Sequence, residues 1–284
     1  MKKIILFASE IAIITRQNQY ESISKIIMKL WEKNYPDDYK NINKLMEDKN
    51  LDLNIVHNVE KNIEDLSKKY NLDLKKQITQ CLNSNNVSNL RKNQEKIMQN
   101  VKIADKKDME LIKKSIISKT NTNFGTKYEG NSIDFYTKNT GNKVNIVTNF
   151  FKKELFEINN IKWMIGGKID GITDNNILIE VKNRTRRLFY NLRDYEKTQI
   201  MTYLNILDLP KAHLVESLKN NKNEINIIEL EYSETYWQNQ ILNRIIHFTK
   251  FFDSFLKEDS YKIALLNDST IIDQKYDSFI SQLS

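Results

Sequence analysis

Two carboxylates and a lysine stand at a spacing that suits metal-assisted chemistry between residues 166 and 183. This segment reads GGKIDGITDNNILIEVKN, with an apolar run on each side of a short polar turn. Such a pattern predicts a β-hairpin. If the turn is 174–176, Asp170 falls directly opposite Glu180, with Cβ atoms about 5 Å apart on one face. Lys182 lies on that same face, because side chains along a strand alternate with period two.

A divalent metal ion would relieve the repulsion between the two neighbouring carboxylates. Buried charges are costly, and two carboxylates repel each other unless a cation lies between them. Oxygen ligands without histidine suit a hard ion, so we expect Mg²⁺ or Mn²⁺, held by Asp170 and Glu180 with the main-chain carbonyl of Val181 as a further ligand. Lys182 is then placed to orient or deprotonate an attacking water, or to stabilise charge that develops on phosphorus.

A surface hairpin with an acid–lysine charge network is the alternative, because the spacing D-x9-E-x-K also recurs by chance. The neighbouring residues favour a buried site. They are aliphatic, as in a strand that is covered on both faces: Ile169, Ile172, Ile177, Leu178, Ile179 and Val181. Gly166, Gly167 and Gly171 also permit a ligand to approach the backbone closely.

The composition narrows the chemistry further. The chain has 284 residues, a formal net charge of +7, one cysteine and three histidines. Cys81 alone cannot form an internal disulfide or a thiolate cluster, and the histidines lack metal-ligand spacing, so we expect neither a zinc site nor a histidine-dependent triad. The start, MKKIILFASEIAII, resembles a signal peptide, but Glu10 interrupts it and no cleavage site follows. We therefore expect a buried helix there and an intracellular protein without a membrane span.

The hairpin belongs to a predicted mixed β-sheet with helices packed on it. Alternation and turn signals predict strands over residues 144–150, 154–158, 161–172, 177–183, 211–217 and 225–232. Helical periodicity predicts helices over residues 4–14, 21–33 and 193–207, and a long amphipathic helix that Ser233 caps. The expected fold class is α/β (mixed α+β). Residues 1–39 and 119–284 form the sheet domain, and residues 40–118, which are polar and without strand signals, form an α-helical insertion.

Four of the seven arginines follow the lysine strand closely. They are Arg184, Arg186, Arg187 and Arg193. Guanidinium groups suit phosphate, so this clustering predicts contacts with a nucleic-acid backbone. A solvated basic loop is the alternative. No pattern for base-specific recognition is visible, and we expect binding through phosphates and duplex shape.

The hairpin sequence is similar to a known nuclease core. The segments GGKIDGIT and ILIEVKNR resemble the PD-(D/E)xK nuclease superfamily, and in particular its YqaJ viral recombinase and phage-lambda-type alkaline exonuclease family. Residues 167–169 stand where that family often has a proline, whose role is not chemical. Three further segments resemble motifs of the family: GTKYE at 125–129, YEKTQ at 195–199 and ASE at 8–10.

This resemblance implies a restriction-endonuclease-like central sheet and roles for residues outside the hairpin. It makes Glu129 a ligand of the metal or of its water, and Gln199 a partner of the water, the metal or DNA. It assigns Ser9 and, through a looser alignment, Arg16 to a pocket for a terminal 5′-phosphate. As alternatives, Glu129 is a helix N-terminal acid and Gln199 a helix glutamine satisfied locally. Ser9 is otherwise a helix cap and Arg16 a surface cation.

The implied activity is Mg²⁺-dependent hydrolysis of duplex DNA from its ends, in the 5′–3′ direction, in recombination or replication of a viral or phage type. The implied partners are double-stranded DNA and a single-strand annealing protein, and monomer and homo-oligomer both stay open. An endonuclease of the same superfamily is the nearest alternative. A non-catalytic DNA-binding protein with a relic nuclease fold is the alternative of a different class, although a relic need not keep Asp170, Glu180 and Lys182 together.

Overall fold

The structure is a computed structural model that describes residues 1–48, 59–103, 105–219 and 224–281. Its strands are β1 (Lys2–Phe7), β2 (Val144–Asn145), β3 (Phe151–Ile158), β4 (Ile161–Gly167), β5 (Gly171–Thr173), β6 (Ile177–Arg184), β7 (Lys211–Leu218) and β8 (Glu224–Glu231). Its helices are α1 (Ala8–Ile14), α2 (Ile23–Asn34), α3 (Pro36–Asp48), α4 (Val59–Lys69), α5 (Leu74–Gln80), α6 (Val87–Asn100), α7 (Lys106–Thr140), α8 (Asp194–Leu207), α9 (Glu234–Tyr236), α10 (Asn243–Lys257), α11 (Asp259–Asn267) and α12 (Ser269–Ser281). The predicted mixed α/β fold class is confirmed.

The strands form two sheets rather than one. The first has the order β1-β4-β3 and the second the order β2-β5-β6-β7-β8. The pairs β1–β4 and β6–β7 are parallel, and the other pairs are antiparallel. Residues 168–170 connect the two sheets, because β4 ends at Gly167 and β5 begins at Gly171. The prediction of one strand over 161–172 is therefore wrong: the main-chain N–H of Val181 donates to the Asp170 side chain, at the point where the β5–β6 ladder has ended.

The N-terminal segment differs most from its prediction. The expected helix over residues 4–14 is instead the strand β1 followed by the helix α1. Ile4 and Leu6 of β1 and the apolar residues of α1 are buried, and β1 pairs along its length with β4, which brings Phe7 beside Gly166. A continuous apolar run lacks the periodicity that would separate a buried strand from a buried helix. Similarly, residues 146–150 extend β2 in the prediction but lie outside any strand.

The middle of the chain is helical in its described part. Between residues 40 and 118, outside 49–58 and 104, the structure contains helices and no strand. These helices share a hydrophobic core of their own, built around Leu74, Leu90, Ile112 and Ile116. The long helix α7 runs without a break through residue 118, so the predicted boundary at that point falls inside a helix. The division into an insertion and a sheet domain stays a prediction.

The C-terminal helices cover the first sheet. The Ser233 side chain accepts a hydrogen bond from the main-chain N–H of Tyr236, as the predicted cap requires, and a wider helical turn at Trp237–Leu242 leads into α10. Trp163 of β4 packs against Phe248 and Phe252 of α10. The hairpin β7–β8 is present as predicted, while its turn at 220–223 lies outside the described residues. Among the helices that the structure describes, none combines the length and apolarity that a membrane span requires.

Candidate active site

The hairpin β5–β6 has the register that its sequence predicts. Gly171 pairs with Ile179 and Ile172 with Leu178, so the same register places Asp170 opposite Glu180. The ladder ends one step before that pair. There the Asp170 carboxylate accepts a hydrogen bond from the main-chain N–H of Val181, with 2.7 Å between the nitrogen and Oδ2. The two carboxylates are thus held together where the β5–β6 ladder ends, beside the central strand of the second sheet.

Lys182 connects the hairpin to helix α8. Its Nζ lies 2.7 Å from Oε1 of Glu180 and 3.1 Å from Oε1 of Gln199. Glu180 is only 4% exposed, so this ion pair is largely removed from water. On the next turn of α8, the Tyr203 ring lies against Gly167, where an added Cβ would come within 2.7 Å of a ring carbon. A glycine is therefore needed at that point for α8 to bring Gln199 to the site.

Helix α7 brings a third carboxylate toward the pair. Ile133 and Tyr136 of α7 are buried against Ile179 and Val181 of β6, as expected for one apolar helix face. Glu129 lies one turn before Ile133 on that face. Burial, and then the negative charge of Glu180, raise the pKa of Glu129. The structure thus brings together Glu129, Asp170, Glu180, Lys182 and Gln199.

Asp170 and Lys182 of this cluster have raised pKa values in the protein without a metal ion. Burial, and secondly the nearby charge of Glu180, raise the pKa of Asp170 from 3.8 to about 8. Burial by itself would lower the pKa of Lys182, but the charge and hydrogen bond of Glu180 outweigh it, so the pKa is raised. Lys182 is therefore a cation at neutral pH, while Asp170 holds a proton that a positive charge would displace.

The residues present fit a hard divalent cation. Asp170, Glu180 and Glu129 offer oxygen donors only, and the raised pKa of Asp170 marks a place where a cation would be favoured. In the part of the chain that the structure describes, no three His, Cys, Asp or Glu side chains are grouped closely enough to form a complete ligand set. Mg²⁺ commonly takes one or two carboxylates and completes its shell with water and substrate phosphate, so two carboxylates suffice.

The raised pKa of Asp170 predicts a pH effect on stability in the metal-free protein. Between pH values of about 4 and about 8, the folded protein holds a proton that the unfolded chain has released. Its stabilising contribution is complete below the unfolded pKa and is lost as the pH rises through the folded pKa. We expect the melting temperature of the wild type to fall relative to Asp170→Asn between pH 5.5 and pH 8.5, measured in EDTA. A constant difference would contradict the raised pKa.

Arg184 lies between two buried carboxylates rather than facing solvent. Its guanidinium is 2.7 Å from Oε1 of Glu196 on α8 and 2.7 Å from Oε1 of Glu216 on β7. Both carboxylates are fully buried, and the Phe189 ring stacks on the guanidinium at 4.2 Å. The Glu196 contact is an ion pair without good hydrogen-bond geometry. The predicted phosphate contact of Arg184 is therefore corrected to an internal role, which joins β6, α8 and β7.

The other three arginines surround an open cavity. Arg186 and Arg187 are exposed, and Arg193 is half-buried with its guanidinium 4.6 Å from the Phe189 ring centroid. The cavity has a volume of about 460 Å³ and lies in the segment that joins β6 to α8. These placements leave all three guanidinium groups at or near the surface, where phosphate can reach them.

The predicted end-binding residues lie near the carboxyl ends of β1 and β4. Ser9 is exposed in the first turn of α1, which follows β1 directly. Because β1 is parallel to β4, this turn lies on the same side of the first sheet as the segment that leads to Asp170. Arg16 is paired with Asp277 of α12, at 2.6 Å from Nε and 2.8 Å from Nη2. A phosphate bound by Arg16 would have to compete with that carboxylate.

Sequence reasoning missed the acids that hold Arg184. Glu216 directly follows the apolar residues Leu214 and Val215 within a predicted strand, and an acid in such a place predicts a buried cation partner. Glu196 lies three residues before Gln199 and so on nearly the same helix face. The sequence could not identify Arg184 as the partner of Glu216. Arg184 lies 32 residues before Glu216, and only the β6–β7 pairing brings the two together.

An acid pair and a lysine lie where the β5–β6 ladder ends, with a glutamine of α8 beside them, and these residues stand in the motifs that resemble the PD-(D/E)xK class. Residues 79–206 match the family described as YqaJ-like viral recombinase domain, and this match confirms the resemblance. The match begins inside the segment 40–118. Helices α6 and α7 therefore lie within the family domain.

Some solved structures overlap with the fold in part. An alkaline exonuclease from Laribacter hongkongensis has 12% sequence identity and a TM-score of 0.40, and the alignment covers 62% of this chain and 86% of that one. A phage-related exonuclease from Haemophilus somnus 129PT has 13% identity and a TM-score of 0.30, with 67% and 94% covered. No curated protein matches the chain in sequence.

Proposed function

We propose that this protein is a Mg²⁺-dependent DNA exonuclease that hydrolyses one strand of a duplex from an end, in the 5′–3′ direction. The observation that carries the proposal is the joint placement of Asp170, Glu180 and Lys182 where the β5–β6 ladder ends. All three lie within the segment that matches the YqaJ-like family. A role inside the cell in recombination or replication of a viral or phage type, alongside a single-strand annealing protein, belongs to the same proposal.

Asp170 and Glu180 would hold the metal, with the carbonyl of Val181 and, directly or through water, Glu129. A bound Mg²⁺ supplies a Lewis acid and lowers the pKa of its water. Asp170 is oriented for this task by its hydrogen bond from the Val181 N–H. The same bond fixes the main chain of Val181 next to the carboxylate, which supports the neighbouring carbonyl as a further ligand.

Lys182 contributes a positive charge at the reacting phosphate. Because its pKa is raised by Glu180, it is protonated at neutral pH and acts as a donor rather than as a base. Glu180 and Gln199 hold its Nζ from two sides, at 2.7 Å and 3.1 Å. This geometry supports orientation of the attacking water and stabilisation of the charge that develops on the phosphoryl oxygens.

Arg186, Arg187 and Arg193 would hold the phosphate backbone near the cut. They follow Lys182 on the same chain segment and stand around one cavity, so a strand whose phosphate lies at Lys182 passes close to them. Ser9 and Arg16 are proposed to grip the terminal 5′-phosphate, which requires Arg16 to exchange Asp277 for the ligand. Contacts of this kind carry little sequence information and weaken as salt rises.

The topology of the DNA substrate tests the proposal. In Mg²⁺, end-labelled linear duplex should be degraded to mononucleotides or short products, and covalently closed circular duplex should resist. A 5′-phosphate end should be cut roughly ten- to a hundredfold faster than a 5′-hydroxyl end, since a charge-assisted contact stabilises it by about 1.5–3 kcal/mol. Ready cutting of the closed circle would instead identify an endonuclease. Binding of both substrates without cutting of either would identify a non-catalytic DNA-binding protein.

A further inference from the structure

The segment between β6 and α8, residues 185–193, is anchored to the rest of the protein by hydrogen bonds of its main chain. At its start, Nη2 of Arg91 donates to the main-chain oxygen of Thr185 at 2.6 Å. In its middle, the main-chain N–H groups of Phe189 and Tyr190 donate to the buried Glu216 carboxylate, at 3.1 Å and 2.9 Å. We call residues 185–193 the arginine loop. These anchors give the arginine loop one defined conformation.

This conformation exposes an aromatic ring. Tyr190 has a φ of 58°, in the left-handed region that bulky residues seldom adopt, and its side chain is 66% exposed. The ring makes no aromatic or cation–π contact within the residues that the structure describes. The Phe189 ring, by contrast, contacts the guanidinium groups of both Arg184 and Arg193. Tyr190 thus combines an exposed ring with a left-handed backbone, while the neighbouring ring contacts guanidinium groups.

The surroundings of Tyr190 are cationic. The cavity beside it is lined by Arg186, Arg187 and Arg193 together with Asn191, and it carries one carboxylate, that of Glu224. A polyanion with an exposed planar group matches this surface, because guanidinium groups hold phosphate while an aromatic ring stacks on a base. Bases inside a duplex already stack on their neighbours. Away from the ends of a duplex, an accessible base face therefore belongs to an unpaired nucleotide.

We propose that Tyr190 stacks on an unpaired base of a DNA strand whose phosphates are held by the arginine loop. This rests on the proposed function, which it deepens by naming single-stranded DNA as a ligand beside the catalytic hairpin. The loop begins three residues after Lys182 and leads directly into the helix that carries Gln199. A strand separated from its complement at the duplex end would meet Tyr190 as it leaves the site.

Binding of defined DNA ligands tests this role. The protein carries Asp170→Asn and is kept in EDTA, so that no ligand is cut. Tyr190→Ala should weaken binding of a fluorescent single-stranded oligonucleotide roughly five- to 150-fold, as loss of one stacked base predicts. Tyr190→Phe, which keeps the ring, should bind like its parent. A dumbbell duplex without unpaired ends or gaps should bind both variants alike. The fluorescence of a 2-aminopurine base in the single strand should be quenched by Tyr190→Phe and not by Tyr190→Ala.

A control variant separates stacking from charge. Arg186→Met should weaken binding of the single strand and of the dumbbell alike. It should also lower the slope of log affinity against log salt concentration by about one. The stacking role is overturned if Tyr190→Ala binds the single strand like its parent. It is also overturned if Tyr190→Ala weakens binding of the dumbbell by the same factor as binding of the single strand. If that happens while the wild type degrades linear duplex, the exonuclease proposal stands alone. If stacking is present and no DNA is cut in Mg²⁺, the exonuclease proposal fails alone. Absence of binding to every DNA overturns both.

Discussion

Asp170→Asn, Glu180→Gln and Lys182→Met should each slow DNA hydrolysis by at least about two orders of magnitude while the protein stays folded. In the proposed mechanism all three groups act on the same transition state: Asp170 and Glu180 hold the metal, and Lys182 is the cation at the phosphate. The measurement is the single-turnover rate on linear duplex in Mg²⁺. Because the groups act together, the double variant Asp170→Asn/Lys182→Met should lose little more than the slower single variant.

Asp174→Asn is the matched control for these variants. It makes the same change on the same hairpin, but at the exposed turn, where the carboxylate of Asp174 bonds only the side chain of Asn145 among the contacts described. Its rate should equal that of the wild type. Near-normal hydrolysis by Lys182→Met would refute the role of that lysine, and near-normal hydrolysis by Asp170→Asn would refute the proposed metal site.

Arg184→Met should lower the free energy of unfolding by about 3–5 kcal/mol, because it leaves two fully buried carboxylates without their cation. For a protein of this size, that loss corresponds to a fall in melting temperature of roughly 6–20 °C. Chemical denaturation followed by far-ultraviolet circular dichroism measures it. Arg186→Met replaces an exposed arginine two residues away and should change stability by no more than about 0.5 kcal/mol.

A second substitution checks the physical cause of this loss. In Arg184→Met/Glu196→Gln one of the uncompensated charges is gone, so part of the lost stability should return. The same carboxylate lies near Lys182 and contributes to its raised pKa, so the double variant also tests whether the Arg184 network positions the lysine. If Arg184→Met is as stable as the wild type but binds DNA more weakly, the internal role of Arg184 is wrong. The phosphate contact predicted from the sequence is then supported.

Local patterns predicted the hairpin well, because its register follows from neighbouring residues. The polar turn and the apolar alternation fix the pairing of Gly171 with Ile179, and from it the approach of Asp170 to Glu180. The mixed fold class and the helix α8 also follow from period and capping signals within short windows. The roles of the individual site residues stay predictions.

Features that depend on residues distant in the chain could not be predicted from the sequence. The run IILFA at residues 4–8 is apolar throughout and too short to show a period, so only pairing with β4 decides that its first part is a strand. The purpose of Arg184 depends on Glu196 and Glu216, which belong to a helix and a strand that pack beside it only in the fold. The exposed ring of Tyr190 likewise follows from its left-handed backbone, which Glu216 holds.

The most direct test of a metal-dependent nuclease centred on Asp170 is the release of nucleotides from a linear duplex by the wild type and by Asp170→Asn. The wild type is assayed with Mg²⁺ and with excess EDTA, and the variant with Mg²⁺. We expect release by the wild type in Mg²⁺ alone, with EDTA abolishing it and Asp170→Asn at least about a hundredfold slower. Equal release in EDTA, or by the variant, would contradict the proposed site.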